Sequence, residues 1–137
     1  MKQKFTRSFD ELQNIVTMTE TLFREEELQP GLRNVVDLAT EELFVNMVTY
    51  NTETDEDILI QMEPHEGGVR VSLTDYDVER FDPTGAGPID INAPLDERIP
   101  GGLGLYLVLK MVDSIHYEYR NRQSRITFIV DRKQFDV

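Results

Sequence analysis

The sequence predicts an α+β two-layer sandwich, with about three helices packed on one face of a mixed, mostly antiparallel sheet. Three observations lead there. Three stretches repeat their apolar residues at helical spacing, and four short stretches alternate apolar and polar residues in two consecutive pairs. Their order along the chain is helix, helix, hairpin, a proline-rich stretch, helix, hairpin, which layers helices against antiparallel strands.

The first helix is carried by Phe9, Leu12, Ile15, Val16, Leu22 and Phe23, and Ser8 followed by Glu11 makes a capping box at its entry. The second runs from about Pro30 to Val48. Pro30 suits a first turn because it has no N–H to satisfy, and Leu32, Val35, Val36, Leu38 and Ala39 form the apolar side. A third helix follows Gly102 and carries Leu103, Leu107, Val108, Met111 and Val112.

Ile58, Ile60 and Met62 alternate, Gly67-Gly68 makes a turn, and Val69, Val71 and Leu73 alternate again, so this stretch reads as a hairpin. Ile115, Tyr117 and Tyr119, a polar turn from Asn121 to Ser124, and Ile126, Phe128 and Val130 read as a second. Lys2 to Arg7 adds an edge strand. Between the hairpins, residues 78–101 hold Pro83, Pro88, Pro94 and Pro100, and such a long connection in a compact domain reads as a functional lid or a linker.

At 137 residues one domain, 1–137, is expected. A hydrophobic share of 39% and a charged share of 29% are ordinary globular proportions and argue against disorder. The absence of cysteine removes disulfides, zinc–thiolate sites and thiol catalysis. No run is long enough to span a membrane, and MKQKFTRSFDEL lacks a signal-peptide apolar region, so a cytoplasmic protein is expected. With 14 Lys and Arg against 26 Asp and Glu the net charge is −12, and the basic clusters are short, so direct nucleic-acid binding is not expected.

Three places carry chemistry out of pattern. Glu42 and Asn46 stand four apart on one side of the second helix, continuing the Val35–Leu38–Ala39 stripe toward the core. They read either as an internally satisfied polar pair or as a metal-and-phosphate site, with Asn giving a neutral oxygen to Mg²⁺ and Glu orienting an attacking group. Asp75 ends the inward stripe of Val69, Val71 and Leu73; it is either solvated at the sheet edge or hydrogen-bonded to something specific, and the amino group of a purine would serve. Gly101, Gly102 and Gly104 precede the third helix, where backbone N–H groups can approach an anion or simply form a turn. Neither a Rossmann nor a Walker spacing is present. His65 and His116 have no metal-ligand spacing, and the acidic loop of Glu53, Asp55, Glu56 and Asp57 lacks a calcium-loop pattern.

The order of these features resembles the GHKL (Bergerat-fold) ATPases, and more closely their small anti-sigma-factor serine kinase branch. Glu41-Glu42-Leu43-Phe44-Val45-Asn46 looks like the family's N box, near 42–46. Leu73-Thr74-Asp75 with Phe81-Asp82-Pro83 looks like the first glycine box, near 75–83. The run from Ala93 to Leu105 resembles the ATP lid, about 78–101, and the second glycine box, 101–104.

The resemblance implies ATP and Mg²⁺ as cofactors. Asn46 would hold Mg²⁺ and phosphate oxygens, Glu42 would be the general base, and Asp75 would accept from the adenine amino group. Gly101, Gly102 and Gly104 would wrap the phosphates, with Arg98 of the lid contacting them. It also implies a protein serine kinase of a partner-switching circuit, a STAS-domain anti-anti-sigma factor and a sigma factor as partners, and pairing as a homodimer. Two departures stand out. Asp75-Tyr76-Asp77 replaces the usual Asp-x-Gly, and the spacing to Phe81, filled by Glu79 and Arg80, is one residue longer than the family's. A non-catalytic regulatory module of the same fold, with weakened or lost nucleotide binding, is therefore the alternative.

Overall fold

A computed structural model describes residues 1–79 and 108–131. Strand β1 (Lys2–Phe5) leads through a 3-10 turn (Phe9–Glu11) into helix α1 (Leu12–Glu25). A second 3-10 turn (Pro30–Leu32) opens helix α2 (Arg33–Tyr50), and strands β2 (Ile58–His65), β3 (Gly68–Tyr76), β4 (Ser114–Arg120) and β5 (Gln123–Val130) complete the described elements. Residues 108–111 are helical.

The strands form one sheet in the order β1-β2-β3-β5-β4. Every described pair is antiparallel. The register explains the alternation read from the sequence. Leu73 pairs with Ile126, Val71 with Phe128 and Val69 with Val130, so one face of the sheet is a continuous apolar layer. Against it lie Ile15, Met18 and Leu22 of α1 and Val36, Ala39, Leu43 and Met47 of α2, all buried in one cluster. Phe5 ties the edge strand to α2 through an edge-to-face contact with Phe44, ring centroids 6.5 Å apart. Val108 and Val112 join the same core.

Local details depart from the sequence reading. The capping box is split: the Asp10 N–H donates to the Ser8 hydroxyl at 3.1 Å, but Glu11 accepts from the Thr6 N–H at 2.8 Å. A 3-10 turn stands between Ser8 and α1, and the carboxylate reaches back to Thr6, two residues before the Ser8 N–H that a regular box engages. Pro30 likewise starts a 3-10 turn rather than α2 itself, and α2 continues two residues past Val48 to Tyr50. The first hairpin turns at Glu66 and Gly67, whose φ values of 50° and 87° place both in the left-handed region, while Gly68 already belongs to β3. The second turns at Asn121 and Arg122, with φ of 52° and 62°, and Gln123 and Ser124 are already in β5. Arg98, Gly101, Gly102, Gly104, most of the lid and the start of the third helix lie outside the described residues.

Candidate functional site

The end of β3 and the C-terminal end of α2 meet at Asp75. Its position continues the inward stripe, and its side chain is completely buried. A solvated sheet-edge carboxylate is thereby excluded. Burying a carboxylate costs several kcal/mol unless it is paired and hydrogen-bonded, and two residues supply the partners. Arg7 donates from Nη1 to Oδ1 at 2.5 Å and from Nη2 to Oδ2 at 3.2 Å, the two-pronged geometry that a guanidinium offers a carboxylate. Asn51 donates from Nδ2 to Oδ2 at 2.7 Å.

Arg7 does more than neutralise. Its Nη2 also donates to the carbonyls of Met47 at 2.7 Å and Asn51 at 2.8 Å, and Nη1 reaches the Glu56 carbonyl at 3.3 Å. The Asn51 carbonyl lies past the last helical residue, the Met47 carbonyl gains a second donor beside the Asn51 N–H at 3.1 Å, and a cation there meets the negative end of the helix dipole. One side chain therefore gathers the exit of β1, the end of α2, the loop before β2 and the end of β3. The guanidinium is itself largely enclosed, with 11% of its side chain exposed.

Glu42 and Asn46 lie on α2, upstream of this clasp. Asn46 is buried and directly precedes Met47, one of the helix carbonyls that Arg7 holds. Glu42 sits one turn earlier and is half-buried. Burial, helped by the neighbouring Glu41 carboxylate, holds its carboxyl above the ordinary 4.5. Tyr50 continues the i, i+4 line of Glu42 and Asn46, and burial raises its phenol as well. A carboxyl made more basic and a buried amide on one helix face suit proton acceptance and oxygen ligation. This donor set fits a magnesium–nucleotide complex, because Mg²⁺ takes one or two protein oxygens and keeps water and phosphate oxygens for the rest.

Asp77 behaves unlike the intruding anion that its place in the glycine box suggests. Its φ of 57° is the left-handed conformation that glycine adopts most easily, so the backbone keeps a glycine-like shape. Its carboxylate turns to Arg122, which donates from Nε to Oδ1 at 2.8 Å. The Val78 N–H donates to the Arg122 carbonyl at 3.0 Å and the Tyr119 hydroxyl to the Val78 carbonyl at 2.8 Å. The chain leaving β3 is thus fastened to the β4–β5 hairpin. Ser124, opposite Asp75 in the register, is buried there.

The structure joins Asp75 to Arg7 and Asn51, two residues that the local pattern does not mark. The only available signal is indirect. An acid on an inward stripe needs a cation, and Arg7 leaves β1 on the same sheet, but a sequence separation of 68 hides the pairing. Among the described residues, no group of three or more His, Cys, Asp or Glu is placed to hold a metal ion. No helix among them is long and apolar enough to cross a membrane.

A family model described as the histidine kinase-like ATPase domain matches residues 5–130. Among solved structures, the chain is similar to the RsbU and RsbW domains of a Mycobacterium tuberculosis protein, with a TM-score of 0.67 and 13% identity, covering 95% of this chain and 31% of that one. It therefore spans about a third of that longer chain. It is also similar to the SiaB–SiaC complex from Pseudomonas aeruginosa, with a TM-score of 0.64 and 14% identity, covering 95% of this chain and 88% of that one. At these identities the likeness is one of fold. The search of curated protein sequences gave no match.

Proposed function

The chain belongs to the histidine kinase-like ATPase domain family, and from that premise we propose that it is an ATP-dependent serine protein kinase of the anti-sigma-factor type. Its substrate would be a serine on a STAS-domain antagonist in a partner-switching circuit, with a sigma factor as the competing partner. The observation that carries this reading is the α2 face, where a half-buried carboxyl of raised basicity stands one turn before a buried amide. The likeness in fold to an RsbW domain and to a chain of a two-protein complex supports a regulatory protein as partner.

In this reading Asn46 offers its amide oxygen to the metal and the phosphates, and Glu42 accepts the proton of the attacking serine hydroxyl. Mg²⁺, when bound, supplies neutralisation of the phosphate charge. Asp75 takes the adenine amino group, and Gly101, Gly102, Gly104 and Arg98 receive the triphosphate. Burial of Asn46 within α2 makes its position rigid, and phosphoryl transfer depends chiefly on such positioning. Asn46→Ala is expected to abolish transfer to a STAS-domain substrate while the circular dichroism and melting profile stay near wild type. Full retained transfer by that variant would remove Asn46 from the reading.

A second reading is favoured by one observation. Both oxygens of Asp75 are already bonded within the chain. A regulatory module of the same fold, binding its partner without nucleotide, would have no need of that carboxylate.

A further inference from the structure

We propose that Arg7 is an internal competitor for the purine, occupying Asp75 so that nucleotide entry is coupled to release of the segment between β1 and α1. This rests on the reading of Asp75 as the purine-binding carboxylate. Oδ2 receives both Asn51 and the weaker prong of Arg7, and Oδ1 receives the shorter prong at 2.5 Å. With Asp75 wholly enclosed, an incoming amino group reaches it only where a resident donor yields.

Of the two residents Arg7 is the one able to move. Asn51 closes α2, and its own N–H is fixed to the Met47 carbonyl at 3.1 Å. Arg7 sits in a short connection between Phe5, which is anchored in the core, and the 3-10 turn at Phe9. Apart from the bonds of Arg7 itself, that connection is held by the exposed Thr6 N–H bond to Glu11 and by the Ser8 N–H on the Thr6 carbonyl at 2.9 Å. Exposed hydrogen bonds of this kind open at low cost.

Withdrawal of Arg7 has consequences beyond the pocket. The Asn51 carbonyl loses the Arg7 donor and the Met47 carbonyl keeps only the Asn51 N–H, so the last turn of α2 loosens directly beside Asn46. Purine occupancy would thereby be felt at the metal-binding amide and at the edge strand together. Because only the Arg7-withdrawn state accepts purine at Asp75, apparent affinity is reduced by its population.

The test is a titration of the wild-type chain and Arg7→Met with ATP and with purine riboside triphosphate, which lacks the 6-amino group. Methionine keeps much of the side-chain volume and leaves Oδ1 open. The expected result is ATP binding about tenfold tighter or more in Arg7→Met, with little gain for the analogue. Equal or weaker ATP binding by the variant overturns the competitor and makes Arg7 a support for Asp75, while leaving the nucleotide reading intact. Binding of ATP by neither chain overturns both.

Should Arg7→Met fail to fold, hydrogen exchange on the wild-type chain decides. ATP should speed exchange of the Thr6 and Ser8 amides and the analogue should not. Protection of those amides by ATP overturns the proposal.

Discussion

Replacing Asp75 with alanine should lower the stability of the folded chain by about 3–5 kcal/mol, the range for removing one partner of a buried ion pair. The loss is large because the partner left behind is enclosed. Arg7 keeps 11% of its side chain exposed, and its guanidinium would face the cavity with its charge uncompensated. Asn51 would lose its Nδ2 acceptor in the same step. Urea unfolding of the wild type and Asp75→Ala measures the difference. The double variant Arg7→Met with Asp75→Leu should recover most of it, since exchanging a whole buried pair for apolar side chains is often neutral or better. A loss below about 1 kcal/mol in the single variant would mean that water or a neighbour replaces Asp75, which contradicts an enclosed clasp.

Glu42→Gln should lower the rate of phosphoryl transfer by about 10²–10⁴-fold while ATP still binds, the usual worth of a positioned general base. Glutamine preserves shape and removes only the ability to take a proton. The pH behaviour adds a readout that a structural role would not give. Burial holds the Glu42 carboxyl above 4.5, so the ascending limb of the rate should lie above the range of an ordinary carboxylate and vanish in the variant. Stability moves the other way. Above 4.5 the folded chain holds this proton while the unfolded chain has released it, so stability falls as the pH rises through that window toward the folded value. Glu42→Gln should flatten that fall. An unchanged rate and pH profile would remove Glu42 from the chemistry.

Much of the fold was legible because its periods are clean. The alternation of Val69, Val71 and Leu73 matches their pairing with Val130, Phe128 and Ile126, and one apolar layer results. Turn positions were less legible. Gly67-Gly68 suggests the hairpin tip, yet the tip is Glu66–Gly67 because the strand needs Gly68 opposite His65. The Ser8 and Glu11 spacing suggests a closed capping box, but an intervening 3-10 turn redirects the carboxylate to Thr6.

At the site, Glu42, Asn46 and Asp75 stand out as polar residues on otherwise apolar stripes, which is a local property. Arg7 and Asn51 do not, because neither breaks a stripe; they matter only once β1, α2 and β3 are brought side by side. Asp77 shows a third kind of illegibility. Its letter departs from the glycine expected there, yet its φ of 57° and its bond to Arg122 keep the backbone form.

The most direct measurement is a calorimetric titration of the wild-type chain with ATP and ADP, with and without Mg²⁺. A nucleotide-dependent kinase built on Asn46, Glu42 and Asp75 should give saturable, magnesium-dependent binding of ATP with a Kd of about 1 mM or tighter. Absence of saturable binding under those conditions would contradict the kinase and leave a partner-binding module whose purine carboxylate is held by Arg7.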